Sequence, residues 1–591
     1  MEQNRFSLLL YRTSLVGALL GLTATLYFLA GLSGYVGSPF FNVAAAAATL
    51  LAVLFFLVIF FACLKRITKP GLLLWLFILA VLLTEIVLGL VPPTAQDELT
   101  HHLALPRLYV RAGRIFDLPF ALHSYYPMLL DMLYTPWIRW GWDSFPKLVH
   151  GLFGFLTGVL VYAYLARRLS PTYGLLGAFF YVSTPVVLRL NHLAYVDLGL
   201  IFYSTAALLC LLGWLEKTQA RRWLILAGLS AGFAMATKPN GLLAFLLLTL
   251  LLVFALGKEK ERGVGQVLGW VFLFAVLALV SFSPWVMKNV VQTGNPLFPF
   301  LTDLFGGAVG RDGGTPELGI LAKRRLLYGE SWVEIAALPL RVFFSRQDDV
   351  AQFFDGVLSP LLILFLPWAF KGKWPEEKRL FIGFVLLYFS YALFLGDLRI
   401  RYILPIVPPL VILAVYGVHN IYLRIVHPSF LFGGLILLTA LNGVYLWNHF
   451  RVVSPVEYVA GRESRQAYLT RMLPDYPAFQ YINGNLPPTA KIYLLFMGRR
   501  AYYCERDYFH DAGENAAVLL GMIRNAKSSD EIRLKLRDKG LTHLLVREDL
   551  LTRFLANSLT AENWQVWDAF VRAHLQALYR NGSYALYQVH G

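Results

Sequence analysis

Two adjacent acids, Asp97 and Glu98, follow Val91-Pro92-Pro93-Thr94-Ala95-Gln96 at the end of an apolar run, and His101, His102, Arg107, Arg111 and Arg114 crowd the residues after them. A carboxylate in such a place can activate a hydroxyl or hold a metal ion, while neighbouring cations can stabilise a departing phosphate. The same residues also suit a local role: Thr94-Ala95-Gln96-Asp97 has the form of a capping box, and Asp97 can cap a helix that begins at Glu98. Company favours chemistry, because ionisable side chains gathered at membrane depth mark substrate paths. Further candidates stand at the ends of other apolar runs. Asp131 comes after Tyr125-Tyr126-Pro127, Asp197 closes Asn191-His192-Leu193-Ala194-Tyr195-Val196, and Lys238 precedes Pro239-Asn240-Gly241. Arg399 and Arg401 lie in Asp397-Leu398-Arg399-Ile400-Arg401-Tyr402. Asp131 and Asp197 also read as helix-start acids, Lys238 as a snorkelling side chain, and the two arginines as counter-charges to Asp397. As clamps, Arg399 and Arg401 suit phosphate oxygens, which a guanidinium grips through two parallel bonds. His101 and His102 make a poor metal pair, since neighbours on an α-helix diverge by about 100°. The sequence holds no P-loop, nucleophile elbow, H-E-x-x-H helix or zinc-binding cysteine set, so no metal or other cofactor is assigned, and a divalent cation stays open.

The elements that must position these groups are membrane helices. Of 591 residues, 57% are hydrophobic and only 15% charged, with a mean hydropathy of +0.57. A soluble chain of this length needs more charge to face water. Repeated apolar runs of roughly 17–23 residues match a helix crossing a hydrocarbon core. Strands of a membrane barrel would be about half as long and would alternate in polarity. Spans are expected at 13–33, 42–63, 71–91, 147–166, 173–190, 195–215, 222–240, 241–257, 264–286, 356–370, 379–396, 402–420 and 429–448, about thirteen crossings by the length criterion. The first follows Arg5 and Arg12 and is too long for a signal-peptide core, which makes it an uncleaved anchor. Cys63, Cys210 and Cys504 cannot build a disulfide framework, and the first two lie in apolar runs where cysteine packs as a small hydrophobe.

The net charge of +16 is no sign of nucleic-acid binding, because the Lys and Arg sit in short clusters between spans. Lys65-Arg66…Lys69, Arg167-Arg168, Lys217…Arg221-Arg222, Lys258…Lys260…Arg262 and Lys371…Lys373…Lys378-Arg379 fall on one side of this arrangement together with the amino terminus. That side is expected to be cytoplasmic. Segments 92–146, 287–355 and 449–591 then lie outside. The first carries two short apolar-faced helices with Trp137, Trp140 and Trp142 at the interface. Asn295-Pro296-Leu297-Phe298-Pro299 opens the second with a structured turn. In the third, strands are expected at 491–497, 542–546 and 584–589 and helices near 515–539 and 562–579. The division is thus a multispan membrane domain over 1–448 and a small outer α/β domain over 449–591.

The order of these motifs resembles the GT-C glycosyltransferases, and within them the protein O-mannosyltransferase and aminoarabinose-transferase-like group (glycosyltransferase family 39). The resemblance is carried by Asp97-Glu98-Leu99-Thr100-His101-His102-Leu103-Ala104-Leu105-Pro106, Tyr195-Val196-Asp197, Thr237-Lys238-Pro239-Asn240-Gly241 and Arg401-Tyr402-Ile403-Leu404-Pro405-Ile406-Val407-Pro408, with Gly461-Arg462-Glu463-Ser464-Arg465 entering the tail. It covers most of residues 71–448. It implies a polyprenyl-phosphate sugar donor, and it makes Asp97 the catalytic base or acceptor-orienting carboxylate, with Glu98, its motif neighbour, as the second, supporting catalytic candidate. Lys238 and Arg401 would offset the developing phosphate charge, and Arg399, His101, His102, Asp131 and Asp197 would line the substrate site. The chain departs from the pattern in two ways: two spans precede the one leading to Asp97, and Asp131 stands where similar bacterial sequences carry Glu.

Two classes of function follow. The first is an inverting glycosyltransferase of the cytoplasmic membrane, acting on its outer face on a protein, lipid or glycan acceptor. The second is a lipid or glycan transporter, for which broken helices and intramembrane charges would also serve; a ligase or polymerase for lipid-linked glycans lies between them. Against transport stand the lack of a paired hydropathy repeat and the gathering of charge at one face.

Overall fold

Apolar runs that must satisfy their own backbone polar groups close them as helices. The computed structural model describes residues 2–216, 220–258, 263–306, 319–371, 376–392, 398–424, 428–513 and 516–590. Asp397, and Lys217, Lys260, Arg262 and Lys373 of the basic clusters, lie outside the described residues. Three long helices open the chain: α1 (Glu2–Leu32), α2 (Pro39–Ala62) and α3 (Lys69–Gly89). The segment that follows carries the short α4 (Ala104–Ala112) and α5 (Leu129–Arg139). Next come α6 (Phe145–Arg168), α7 (Pro171–Val182), α8 (Pro185–Asn191), α9 (Asp197–Glu216), α10 (Arg221–Thr237), α11 (Gly241–Gly257) and α12 (Val264–Thr293). Helices Glu376–Ala392 and Pro428–Val453 flank a last central span, Ile400–Tyr422.

Among the described residues, eight helices are long and apolar enough to cross a membrane, or nine when the bent pair α7–α8 counts as one span, which corrects the expected thirteen. The losses have local causes. Pro185 has no amide hydrogen to donate, and the run 173–190 breaks before it with a bend of 71°. The runs 222–240 and 241–257 form separate helices of 17 residues each, α10 and α11, on either side of the Lys238-Pro239-Asn240 turn. Pro360 and Pro367 reduce 356–370 to the four-residue helices Leu361–Leu364 and Leu366–Ala369. Helix Glu376–Ala392 is described over 17 residues where 379–396 was expected. The spans α6, α9 and Ile400–Tyr422 are buried along most of their length and form the middle of the bundle, whereas α2, α12 and Leu431–Val453 turn apolar faces outward.

Beyond Val453 the chain builds one five-stranded sheet, β1 (Lys491–Leu495), β2 (Asp507–His510), β3 (His543–Arg547), β4 (Leu575–Asn581) and β5 (Tyr584–Val589), in the order β2-β1-β3-β5-β4. β1 pairs in parallel with both β2 and β3, and the β4–β5 hairpin adds antiparallel to β3. β1, β3 and β5 fall where strands are expected. β2 was not foreseen, and the expected helix over 562–579 ends at His574, after which the chain becomes β4. Leu519, Ile523, Ile532, Leu536 and Phe570 pack beneath β1 and β3 as a core of their own.

Candidate active site

The chain leaves α3 at Leu90, and Lys147 of α6 catches it: its Nζ donates to the carbonyls of Val91 and Pro92 at 3.0 and 3.2 Å. The next turn is wound wider than an α-helix. Residues 98–102 form one π-helical turn closed by Leu103 N–H donating to Glu98 O at 3.0 Å. Single π turns concentrate at functional sites because the wider winding changes which side chains share a face. Glu98 is fully buried and holds this turn in place. Its Oε2 accepts from the amides of Thr94 and Ala95 at 2.9 and 2.8 Å, and its Oε1 from the amide of Ala194 at 2.6 Å. The capping expected of Thr94 or Asp97 is thus supplied by Glu98, and Asp97 makes no side-chain capping bond.

Asp97 instead faces a cation from the start of the last central span, far away in sequence. Arg401 Nη1 donates to Asp97 Oδ2 at 2.6 Å, and the guanidinium lies 5.2 Å from the Tyr195 ring centroid. The amide of Asp97 points to the Tyr195 hydroxyl at 3.4 Å. Burial acts to raise the Asp97 carboxyl pKa, but Arg401, with His101 and His102 behind it, outweighs burial and holds it well below the usual carboxylate range. The Asp97 side chain remains 25% exposed, to a polar cavity of about 170 Å3. Arg189, Tyr195, Asp355, Arg399 and Arg401 share its walls.

Arg399 does not reach Asp97. It pairs with Asp355 at 3.2 Å, in the segment 287–355. Arg189 pairs with Asp348 at 2.8 Å and with Asp349 at 2.7 Å. Asp349, Phe354 and Asp355 all hold positive φ, and Ile400 N–H donating to Phe354 O at 2.8 Å pins that backbone to the start of the last central span. Lys238, partly exposed, and buried Asp197 form a separate pair, Nζ to Oδ1 at 2.6 Å, with Lys238 Nζ 5.6 Å from the Tyr402 ring centroid. Lys238 does not line the polar cavity. Tyr402 lines the neighbouring space, an apolar groove of about 370 Å3 bounded by Tyr126, Met235, Leu243, Trp285 and Phe300. Consecutive residues of one turn, Arg401 and Tyr402, therefore face a polar cavity and an apolar groove.

The two histidines part company. His101 bonds through Nδ1 to Thr100 Oγ1 at 2.7 Å and stacks on His123 at 4.2 Å, and burial, together with the positive fields of His102 and His123, keeps its pKa well below the usual value. His102 Nδ1 meets Asp131 Oδ1 of α5 at 3.1 Å. Burial pushes the Asp131 carboxyl pKa up while His102 pulls it down, and burial wins. Among the described residues no group of three or more His, Cys, Asp or Glu side chains is placed to hold a metal ion.

The loop after β1 reaches down onto the π turn. Ala501 and Tyr502 N–H donate to Leu99 O at 3.0 and 3.1 Å, and Tyr503 Oη donates to Pro93 O at 2.7 Å. Arg107 and Arg111 of α4 answer by donating to Tyr502 O and Cys504 O at 2.7 and 3.0 Å. Sequence reasoning missed Tyr195, Arg189, Asp355 and this loop. Tyr195 stood in the Tyr195-Val196-Asp197 motif without being singled out, and for Arg189 the signal was an arginine inside the apolar run Val186-Val187-Leu188-Arg189-Leu190.

Residues 147–287, from α6 into α12, match the family model described as dolichyl-phosphate-mannose-protein mannosyltransferase. No curated protein is matched by the chain. Among solved structures the chain is similar to ArnT from Cupriavidus metallidurans in the apo state, with 16% identity over 87% of this chain and 97% of that one and a TM-score of 0.51. It is equally similar to ArnT bound to undecaprenyl phosphate, with 16% identity, 88% and 98% coverage and a TM-score of 0.52. By fold the chain shares the architecture of ArnT, and across 147–287 it matches the model of the dolichyl-phosphate-mannose-protein mannosyltransferases.

Proposed function

We propose that this protein is an integral membrane glycosyltransferase that moves a sugar from a polyprenyl-phosphate carrier to an acceptor on the outer face of the cytoplasmic membrane. One observation carries the reading: Arg401, paired with Asp97, opens on a polar cavity while the adjoining Tyr402 lines an apolar groove. A lipid-linked phosphate needs that juxtaposition, a cationic pocket for the headgroup beside a dry channel for the chain. ArnT, whose fold this chain shares, has been captured with undecaprenyl phosphate.

In this reading the isoprenoid chain lies along Met235, Leu243 and Trp285, and the phosphate meets Arg401. Lys238, held by Asp197 beside Tyr402, supplies a second positive charge as the phosphate leaves. Asp97 accepts a hydrogen bond from the acceptor hydroxyl and aims it at the anomeric carbon. Glu98, with its oxygens given to three backbone amides, is a positioning residue rather than a reacting one. His101, Arg399 and Arg189 border the sugar and acceptor. We assign residues 1–448 to the catalytic membrane domain, with a cytoplasmic amino terminus as its basic loops suggest, and 449–591 to an outer domain whose β1 loop packs on the π turn.

The test is transfer by purified protein in vesicles supplied with polyprenyl-phosphate-linked hexoses and pentoses. Wild type should release polyprenyl phosphate and glycosylate an acceptor, and Asp97→Asn should lose at least a hundredfold in rate. A wild type inert with all such donors, or full activity in Asp97→Asn, defeats the proposal. A cysteine at position 97 should react with an impermeant reagent from outside; labelling only from the cytoplasmic side would overturn the orientation.

A further inference from the structure

The polar cavity and the apolar groove lie at one end of the bundle, and a further cavity of about 360 Å3 lies at the other. Thr68, which lines it, caps the start of α3, and α3 then runs 21 residues, about 32 Å, towards the segment that carries Asp97. That length matches a hydrocarbon core, so this cavity meets the leaflet opposite the candidate active site. It is walled by α1, α2, α6 and α7, and α1 and α2 are the two spans that precede the one leading to Asp97. Arg5 and Arg12 of α1 are seven residues apart, two turns that set both on one face about 10 Å from each other. Both are exposed, and among the described residues neither makes an ion pair and no acid lines the cavity. Leu9 of α1 and Phe55 and Ile59 of α2 add an apolar wall. Thr68 and Thr172 add hydroxyls bonded to each other at 3.0 Å. Since Thr68 Oγ1 also accepts the Gly71 amide, the pair spends one hydroxyl hydrogen between its members and keeps one to donate. Leu8 and Val58 at the lining are 44% and 59% exposed, so the mouth opens on apolar surface that faces lipid rather than water.

We propose that this cavity binds an anionic glycerophospholipid of that leaflet, with its phosphate on Arg5 and Arg12 and an acyl chain along Leu9, Phe55 and Ile59. Two unpaired cations without an acid, set in an apolar wall between membrane helices, have the charge and the surface such a lipid complements. A soluble phosphate would meet the cations and leave the apolar wall uncovered, and a lipid without net charge would do the reverse. The bound lipid joins α1 and α2 to α6 and α7, and because it binds only the folded bundle it stabilises that packing. Sugar transfer plays no part in this binding, so a failure of the transfer reading would leave the lipid site standing.

The experiment titrates the full chain in neutral detergent with phosphatidylglycerol, with phosphatidylcholine and with inorganic phosphate, following thermal unfolding and alkylation of Cys63 by N-ethylmaleimide. Cys63 lines the cavity and is half-buried, whereas Cys210 and Cys504 are buried. Phosphatidylglycerol should raise Tm and slow Cys63 alkylation severalfold, and the other two should do neither at the same concentration. Arg5→Gln combined with Arg12→Gln should weaken phosphatidylglycerol binding by about 30-fold. Lys258→Gln combined with Arg424→Gln should leave it unchanged, although both cations follow spans that run from the active-site end to this one. Equal responses to the two lipids, or wild-type affinity in the Arg5/Arg12 variant, overturns the proposal. If that variant does not fold, wild-type Cys63 left unprotected by phosphatidylglycerol overturns it alone. A response to inorganic phosphate equal to that of the lipid would make this a simple anion site, against the proposal. Protection of Cys63 that follows protein concentration rather than lipid would seat a second copy of the chain there and would overturn it as well.

Discussion

Asp97 and Arg401 are separated by 304 positions in the chain and by 2.6 Å in the fold, and this pair joins the segment after α3 to the start of the last central span. The two side chains are 25% and 17% exposed, so the pair is sheltered yet open to the polar cavity. Arg401→Met removes both the phosphate contact and the counter-charge of Asp97. Donor KM should rise and kcat/KM fall by on the order of 100-fold or more. With the guanidinium gone, burial is opposed only by the weaker fields of His101 and His102, and the Asp97 carboxyl pKa should move up from its depressed position. Activity measured against donor concentration and pH checks both parts.

The Lys238–Asp197 pair sits deeper. Asp197 is 1% exposed, and its Oδ2 has no hydrogen-bond partner. Lys238→Met should therefore strand a buried carboxylate and destabilise the protein by about 3–5 kcal/mol. Adding Asp197→Asn should recover most of that loss without restoring transfer, since the second positive charge is still missing. Thermal unfolding in detergent, set beside turnover, separates the two effects.

Glu98→Gln tests holding against reacting. The amide keeps the shape, but one of its two ends becomes a donor facing backbone N–H groups that need an acceptor. Stability should drop by about 1–3 kcal/mol. The rate should fall less than in Asp97→Asn. A variant as stable as wild type but inactive would give Glu98 a chemical role instead.

Acid should loosen the contact between the segment joining α4 to α5 and the β1–β2 region. The pKa values of His123 and His510 are both lowered to about 4, by burial first and by the field of Arg499 as well. Between about pH 6.5 and 4 the unfolded chain binds protons that these folded imidazoles refuse, so stability falls as pH drops through that window and is fully present above it. Each site contributes on the order of 3 kcal/mol at most. His510 packs against Phe120 with ring centroids 5.2 Å apart, so His510→Phe should keep the contact and flatten the melting temperature against pH. An unchanged slope in the double variant with His123→Gln would refute this.

Composition and run length were enough to determine a membrane-spanning helical chain, its apolar segments and a mixed tail with β1, β3 and β5, because those depend on how much apolar surface each stretch must hide. Motif order pointed to the Asp97 turn and to Arg401. Where a run contains Pro185, Pro360 or Pro367, length alone overstated the crossings, since whether a proline bends a span or ends it depends on what packs around the freed backbone. The partners were illegible for a different reason. Asp97 with Arg401, Lys238 with Asp197, His102 with Asp131 and Arg399 with Asp355 are contacts between elements 29 to 304 positions apart. Such contacts are set by how helices dock, and nothing in local spacing encodes that. Sequence could name Asp97 and Glu98 as a pair; only the tertiary structure separates them, by giving one a guanidinium and a cavity and the other three backbone amides and no solvent.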